Sequence, residues 1–205
     1  MVLGGIAAFL FSIGLFLAIF AAAGLIPTIF EPGRIELLLS KPISRTKLLL
    51  GKYTGALAVV ALNLLYLVMG AWLIVGYKTG VWKVEFLAAA GLAIFAFAVM
   101  LTVVTFTAVV SNSAVLSTMV AYVVMIIASI VSQHDRIAPF FSSEAPRQLV
   151  RLTYWALPKV FEIGSLARSL MMGESVESWA PFWTSAIFGV VMLTAGVRVL
   201  ERKDF

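Results

Sequence analysis

EPGRIELLLSKPISRTKLLLGKY, residues Glu31 to Tyr53, is the only densely charged stretch before Ser132, and apolar runs of membrane length flank it on both sides. It sets Arg34, Lys41, Arg45, Lys47 and Lys52 against Glu31 and Glu36, a basic excess that orients such a loop toward the cytoplasm. On either side, apolar runs at about residues 2 to 30, 55 to 77, 84 to 110, 114 to 132 and 181 to 200 each meet the roughly 20-residue requirement for crossing the hydrocarbon as a helix. The expectation is an all-α integral membrane protein, a single transmembrane domain over residues 1–205 with about five spans. Pro27 is the expected place for the first of them to bend.

Composition agrees. Hydrophobic residues make up 62% of the chain and charged residues 12%, about half the soluble average, and the mean hydropathy is +1.06. A net charge of +5 would suggest nucleic acid in a soluble chain, but here the cations sort by membrane side. With the 31–53 segment inside, Arg198, Arg202 and Lys203 of the tail also fall inside, and the short opposite loop keeps only Lys78 and Lys83. The loop at 133–180 mixes both signs and lies outside; loops of that length influence orientation weakly. The expected location is therefore a plasma or inner membrane, multi-pass, with the C-terminus cytoplasmic and no nucleic-acid partner. The N-terminal run lacks a preceding basic residue and is about twice as long as a signal core, so it reads as a span that is kept. Cysteine is absent, which excludes disulfides and thiolate chemistry. Gly4, Gly5, Gly14 and Gly24 in the first run, with Gly189 and Gly196 in the last, are candidates for close helix contacts.

Within the charged segment, Gly33 to Ser40 has room for about two helical turns, with Ile35, Leu38 and Leu39 on an apolar side. Pro42 forces Lys41 toward extended geometry and ends that helix. Ser44 is placed to cap the next one, which runs through Arg45, Lys47 and Lys52 into the second span. The reading is a short helix, a corner and then a rod that carries displacement into the membrane.

These residues resemble the type-2 permeases of ATP-binding-cassette exporters. The shared order is Glu31, Gly33, Glu36 to Leu38, Pro42, Ser44 with Arg45, and Gly51 with Lys52; the LPKVF stretch from Leu157 to Phe161 and the tail from Glu201 to Phe205 extend the likeness over nearly the whole chain. Arg34 departs from it, standing where many relatives are similar to a Gly-Thr pair. The resemblance implies that the segment is a coupling helix docking on a cytosolic ATPase, with Glu36 and Arg45 as contacts and Pro42 as the corner. Glu31, Gly33, Leu38, Lys47 and Lys52 complete that site. It also implies export, a second permease copy or a similar subunit as partner, and six spans preceded by an elbow helix. By that pattern, this chain begins at what resembles the second span. Without the resemblance, the bland reading of the segment is an orientation signal that binds anionic lipid, as in a non-transporting scaffold that recruits a cytosolic partner.

No phosphate loop accompanies Gly51-Lys52, which Tyr53 follows, so the chain is expected to bind no cofactor itself and to leave ATP and Mg to a partner. His134 is the only histidine and sits beside Asp135, too little for a metal site, and reads as a solvated loop pair. The spans contain no paired carboxylates for proton-relay or proteolytic chemistry. Their uncharged polar residues, notably Asn63, Thr102 and Thr105, either line a pathway or tie helices together; Asn63, costliest to leave unpaired, is the favoured interior position. In the outer loop, Leu157, Val160, Phe161, Gly164, Ala167 and Met171 recur at helical spacing, predicting an amphipathic helix at or dipping into the outer surface, carried by Leu157, Pro158 and Phe161 in the resemblance. Tyr154, Trp155, Trp179 and Trp183 fit interfacial anchoring.

Overall fold

The computed structural model describes residues 2–22, 24–30, 44–80, 82, 84–134, 144–176 and 178–203, and within them every regular element is helical. The α-helices are α1 (Val2–Ala22), α2 (Arg45–Thr79), α3 (Glu85–Ser111), α4 (Ala114–Val131), α5 (Glu144–Ala156), α6 (Val160–Met172) and α7 (Ala180–Glu201), with a 3-10 turn at Pro27–Phe30. Among the described residues α2, α3, α4 and α7 are long and apolar enough to cross a membrane, and α1 contributes a shorter apolar stretch, Phe11–Ala22.

The first run differs from its expected form. Rather than bending at Pro27, α1 stops at Ala22 and the chain turns through Leu25, whose N–H donates to the Ala22 carbonyl at 3.0 Å. A proline ring crowds the carbonyl four residues before it and offers no N–H to the helix, which disfavours an unbroken α-helix through Pro27. The second run starts as anticipated. Ser44 is extended and its hydroxyl accepts from the Lys47 N–H at 3.3 Å, after which α2 runs unbroken for 35 residues, about 52 Å. Gly80 ends it at φ 73°, a conformation open to glycine, and the Trp82 ring folds back over Gly76 so closely that a Cβ there would lie 2.6 Å from it.

α3 is the centre of the bundle, packing on α1, α2, α4, α6 and α7. It is apolar on every side, as befits a helix with no solvent face, and most of its apolar window is buried. α7 lies along it: a Cβ on Gly189 would touch Val99 and Thr102 at 3.7 and 3.8 Å, and one on Gly196 would meet the Phe106 backbone at 3.6 Å. Gly14 and Gly24 have nothing within 4 Å and make no such contact. Asn112, at φ 53°, turns α3 into α4, and Ser113 caps α4 by accepting from the Leu116 N–H at 3.4 Å.

The loop after α4 holds two helices. α6, at 13 residues about 20 Å long, is too short to cross a bilayer, yet it buries Val160, Ile163, Leu166 and Ala167 against the bundle. A Cβ on its Gly164 would come within 2.8 Å of the Phe11 ring, midway along α1, so α6 enters the bundle rather than lying on it. Leu157 and Pro158 precede α6 in the turn from α5, and only Phe161 of the three expected residues is on the helix.

Candidate functional site

Of the expected coupling residues, Glu31, Gly33, Glu36, Leu38 and Pro42 lie outside the described residues. What surrounds their attachment points is well defined. Phe11 of α1 lies against Gly164 of α6, the Tyr122 hydroxyl donates to the Phe16 carbonyl at 3.2 Å with the two rings stacked at 4.1 Å, and the 3-10 turn that follows α1 packs on α3 and α4, so α1 runs from the α6 side toward the α3–α4 corner. The chain therefore leaves α1 at the end of the bundle that carries the α3–α4 corner, and it re-enters at Ser44 at that same end.

There Arg45 is half-buried and engaged within the chain. Its Nη1 donates to the Leu200 carbonyl at 3.4 Å and also to the Lys203 carbonyl, both at the C-terminal end of α7. The neighbouring Thr46 hydroxyl donates to Glu201 Oε1 at 2.6 Å. Lys203 in turn reaches across to α3: its ammonium donates to the Val109 carbonyl at 2.6 Å, the Val110 carbonyl at 3.4 Å and Asn112 Oδ1 at 2.8 Å. A cation on terminal carbonyls complements the negative end of the α3 dipole, while desolvation pulls the Lys203 ammonium below its ordinary pKa. Lys47 and Lys52 are exposed. On the same face of α2 as Arg45, Leu49 and Ala56 are buried, and the Tyr53 hydroxyl donates to the Ala98 carbonyl of α3 at 3.0 Å.

The polar residues within the spans satisfy themselves locally. Thr102 and Thr105 are buried and donate to the Val99 and Leu101 carbonyls of their own helix, each at 2.7 Å. Asn63, expected inside, is exposed on the outer side of α2 and donates to the Val59 carbonyl at 2.9 Å. None of the three lines the cavity of about 90 Å³ between α1, α2 and α3, whose walls include Phe11, Leu15, Val60, Leu64 and Phe97 and are wholly apolar.

At the other end, sequence reasoning missed a cluster. Lys159, within the LPKVF stretch, is buried ahead of α6; its backbone N–H donates to the Ser185 hydroxyl at 2.9 Å, and its ammonium sits 4.0 Å from the Tyr154 ring and 4.3 Å from that of Trp155. Burial pulls its pKa down, and Glu162 pushes it back up. His134, expected as half of a solvated pair, is part-buried with its ring 4.1 Å from that of Tyr154, and Asp135 lies outside the described residues. Helix α5, which supplies both aromatics, was itself read as loop, although Leu149, Leu152 and Trp155 recur at helical spacing. Trp179 and Trp183 flank Phe182 in an edge-to-face aromatic group at the start of α7. Among the described residues no group of His, Cys, Asp or Glu is placed to hold a metal.

A knot of terminal carbonyls and cations performs no bond chemistry; it fixes helix ends relative to one another. Comparison with known proteins gives one finding that bears on its use: the family model described as ABC-2 family transporter protein matches residues 1–205. No curated protein and no solved structure gives a match.

Proposed function

This chain belongs to the ABC-2 family of transporter proteins, and we propose that it is the permease subunit of an ATP-driven exporter, coupling hydrolysis by a separate cytosolic ATPase to passage of substrate. Its membership makes it a multi-pass membrane protein with a permease role in transport. In the proposed assembly two ATPase chains use ATP and Mg, and a second copy of this chain or a similar subunit completes the pathway. The C-terminus faces the cytoplasm with the 31–43 segment, in a plasma or inner membrane.

The observation that supports this reading is where the described chain resumes after that segment, at Ser44, beside the α3–α4 corner and the end of α7. From there α2 runs as a capped, uninterrupted helix of 35 residues to the opposite end of the bundle. Closure of the ATPases displaces the segment, and the bundle passes between two packings whose populations nucleotide biases. Glu36 faces the motor in this scheme, together with the exposed Lys47 and Lys52. Arg45 secures the base of the segment instead, since its guanidinium is held by α7.

The test is to purify the chain from its own membrane and reconstitute it with the ATP-binding-cassette ATPase that accompanies it. The expected result is co-purification and membrane-dependent stimulation of hydrolysis, with Glu36→Ala lowering the stimulation about tenfold, as loss of one charge-assisted contact predicts. Full stimulation in Glu36→Ala removes that residue from the interface. Absence of any associating ATPase favours a scaffold that recruits another partner.

A further inference from the structure

We propose that the C-terminal tail is a clasp, with Lys203 as its positioning residue, that makes the start of α2, the end of α7 and the α3–α4 corner move as one body. The clasp deepens the coupling role argued above and rests on it for its purpose, though not for its existence.

Contacts from two separate parts of the chain, the start of α2 and the end of α3, meet at residues 200–203. Arg45 brings the start of α2 to the Leu200 and Lys203 carbonyls, Thr46 adds its bond to Glu201, and Lys203 carries the chain on to Val109, Val110 and Asn112 at the end of α3. These partners are 91 to 158 residues apart in sequence. The clasp matters because α2 is otherwise held mainly over its first half: none of its apolar window is buried within the chain, Leu49 and Ala56 are its buried residues there with Leu57 and Val60 packed beside them, and Gly76 near its far end is covered by Trp82 of the following turn. α3 and α7, by contrast, pack along their length through Gly189 and Gly196. With the clasp closed, a pull on the 31–43 segment reaches the α3–α7 pair together with α2. With it open, α2 swings alone about its Tyr53 and Leu49 contacts and the motion is lost to the pathway.

The chain has no cysteine, so spin labels attach only where cysteines are introduced. Gly51, where an added Cβ meets nothing within 4 Å, and Val110, which is exposed, supply one label on α2 and one at the end of α3. In the full chain in liposomes, Gly51→Cys with Val110→Cys is expected to give a single narrow distance distribution. Lys203→Met broadens it, Lys203→Arg restores it, and Thr46→Val, which leaves the tail cation in place, broadens it less. An unchanged narrow distribution in both Lys203→Met and Thr46→Val overturns the clasp, whatever the motor does. With the partner ATPase present, Lys203→Met is expected to lower transport per ATP about tenfold, the scale of losing a charged hydrogen bond, while stimulation of hydrolysis persists. Broadening of the distances with transport per ATP unchanged overturns the positioning role. If no ATPase associates at all, the coupling reading fails while the distances still decide whether the clasp exists.

Discussion

A threonine inside a membrane span invites a functional reading that its surroundings here do not support. Thr102 and Thr105 are buried in α3 and spend their hydroxyls on their own helix, bonds of 2.7 Å that a valine would forgo without leaving an unpaired group. Thr105→Val is therefore expected to change thermal stability by less than about 0.5 kcal/mol and to leave transport intact; a large loss of transport in a stable variant would put this hydroxyl on the pathway. Lys159 is the opposite case, a charge within an otherwise apolar stretch that is buried against two aromatic rings. Replacing its cation with the Lys159→Met side chain keeps the aliphatic packing but removes the attraction to Tyr154 and Trp155, at an expected cost of about 1 kcal/mol measured by thermal unfolding in detergent. That cost should vanish when both rings are already replaced by leucine. Neither residue's role was readable from spacing, because the partners that decide it belong either to the local backbone or to elements far along the chain.

Helix boundaries were readable where a polar residue marks them and obscure where the marker is steric. Ser44, followed by cations and then an apolar run, announced the start of α2, and its hydroxyl does cap it. Ser44→Ala is expected to cost about 1 kcal/mol and to increase amide exchange over residues 45–48 selectively. The end of α1 gave no such sign, since the apolar run continues through the turn that Pro27 imposes. Helix α5 was lost for a different reason: its charges made a loop of a segment whose apolar residues are spaced for a helix. The penetration of α6 was only half visible, as periodicity predicts an amphipathic helix but not that Gly164 gives way to an aromatic ring on α1. Gly164→Val should lower stability by about 1–3 kcal/mol through its clash with Phe11, and Phe11→Ala should recover part of that loss. Strict additivity in the double-mutant cycle would mean that the two helices do not meet there.

The arrangement of the bundle was the least accessible level, and the reason is physical. In a bilayer, lipid tails are as apolar as leucine, so composition cannot tell a helix at the centre from one at the edge. The runs that became α2 and α3 read alike, yet α3 is the hub while α2 turns Leu62, Leu67 and Ile74 outward from this chain, each more than 60% exposed. Asn63 illustrates the consequence, because choosing it as an interior residue required knowing which way α2 faces. The membership shown by the family match gives the class of molecule, but the division between hub and rim comes only from coordinates. That division makes opposite forecasts for one chemical change. Ala96 in α3 is fully buried, so Ala96→Leu forces extra methylenes into a filled space and should cost about 1–3 kcal/mol. Ala58 is exposed on α2, where Ala58→Leu adds only apolar surface facing outward and should stay within about 0.5 kcal/mol. Thermal unfolding of both variants in the same detergent measures the difference. Equal losses would mean that the Ala58 face is packed as tightly as the hub, and that a second subunit covers α2 in the assembled protein.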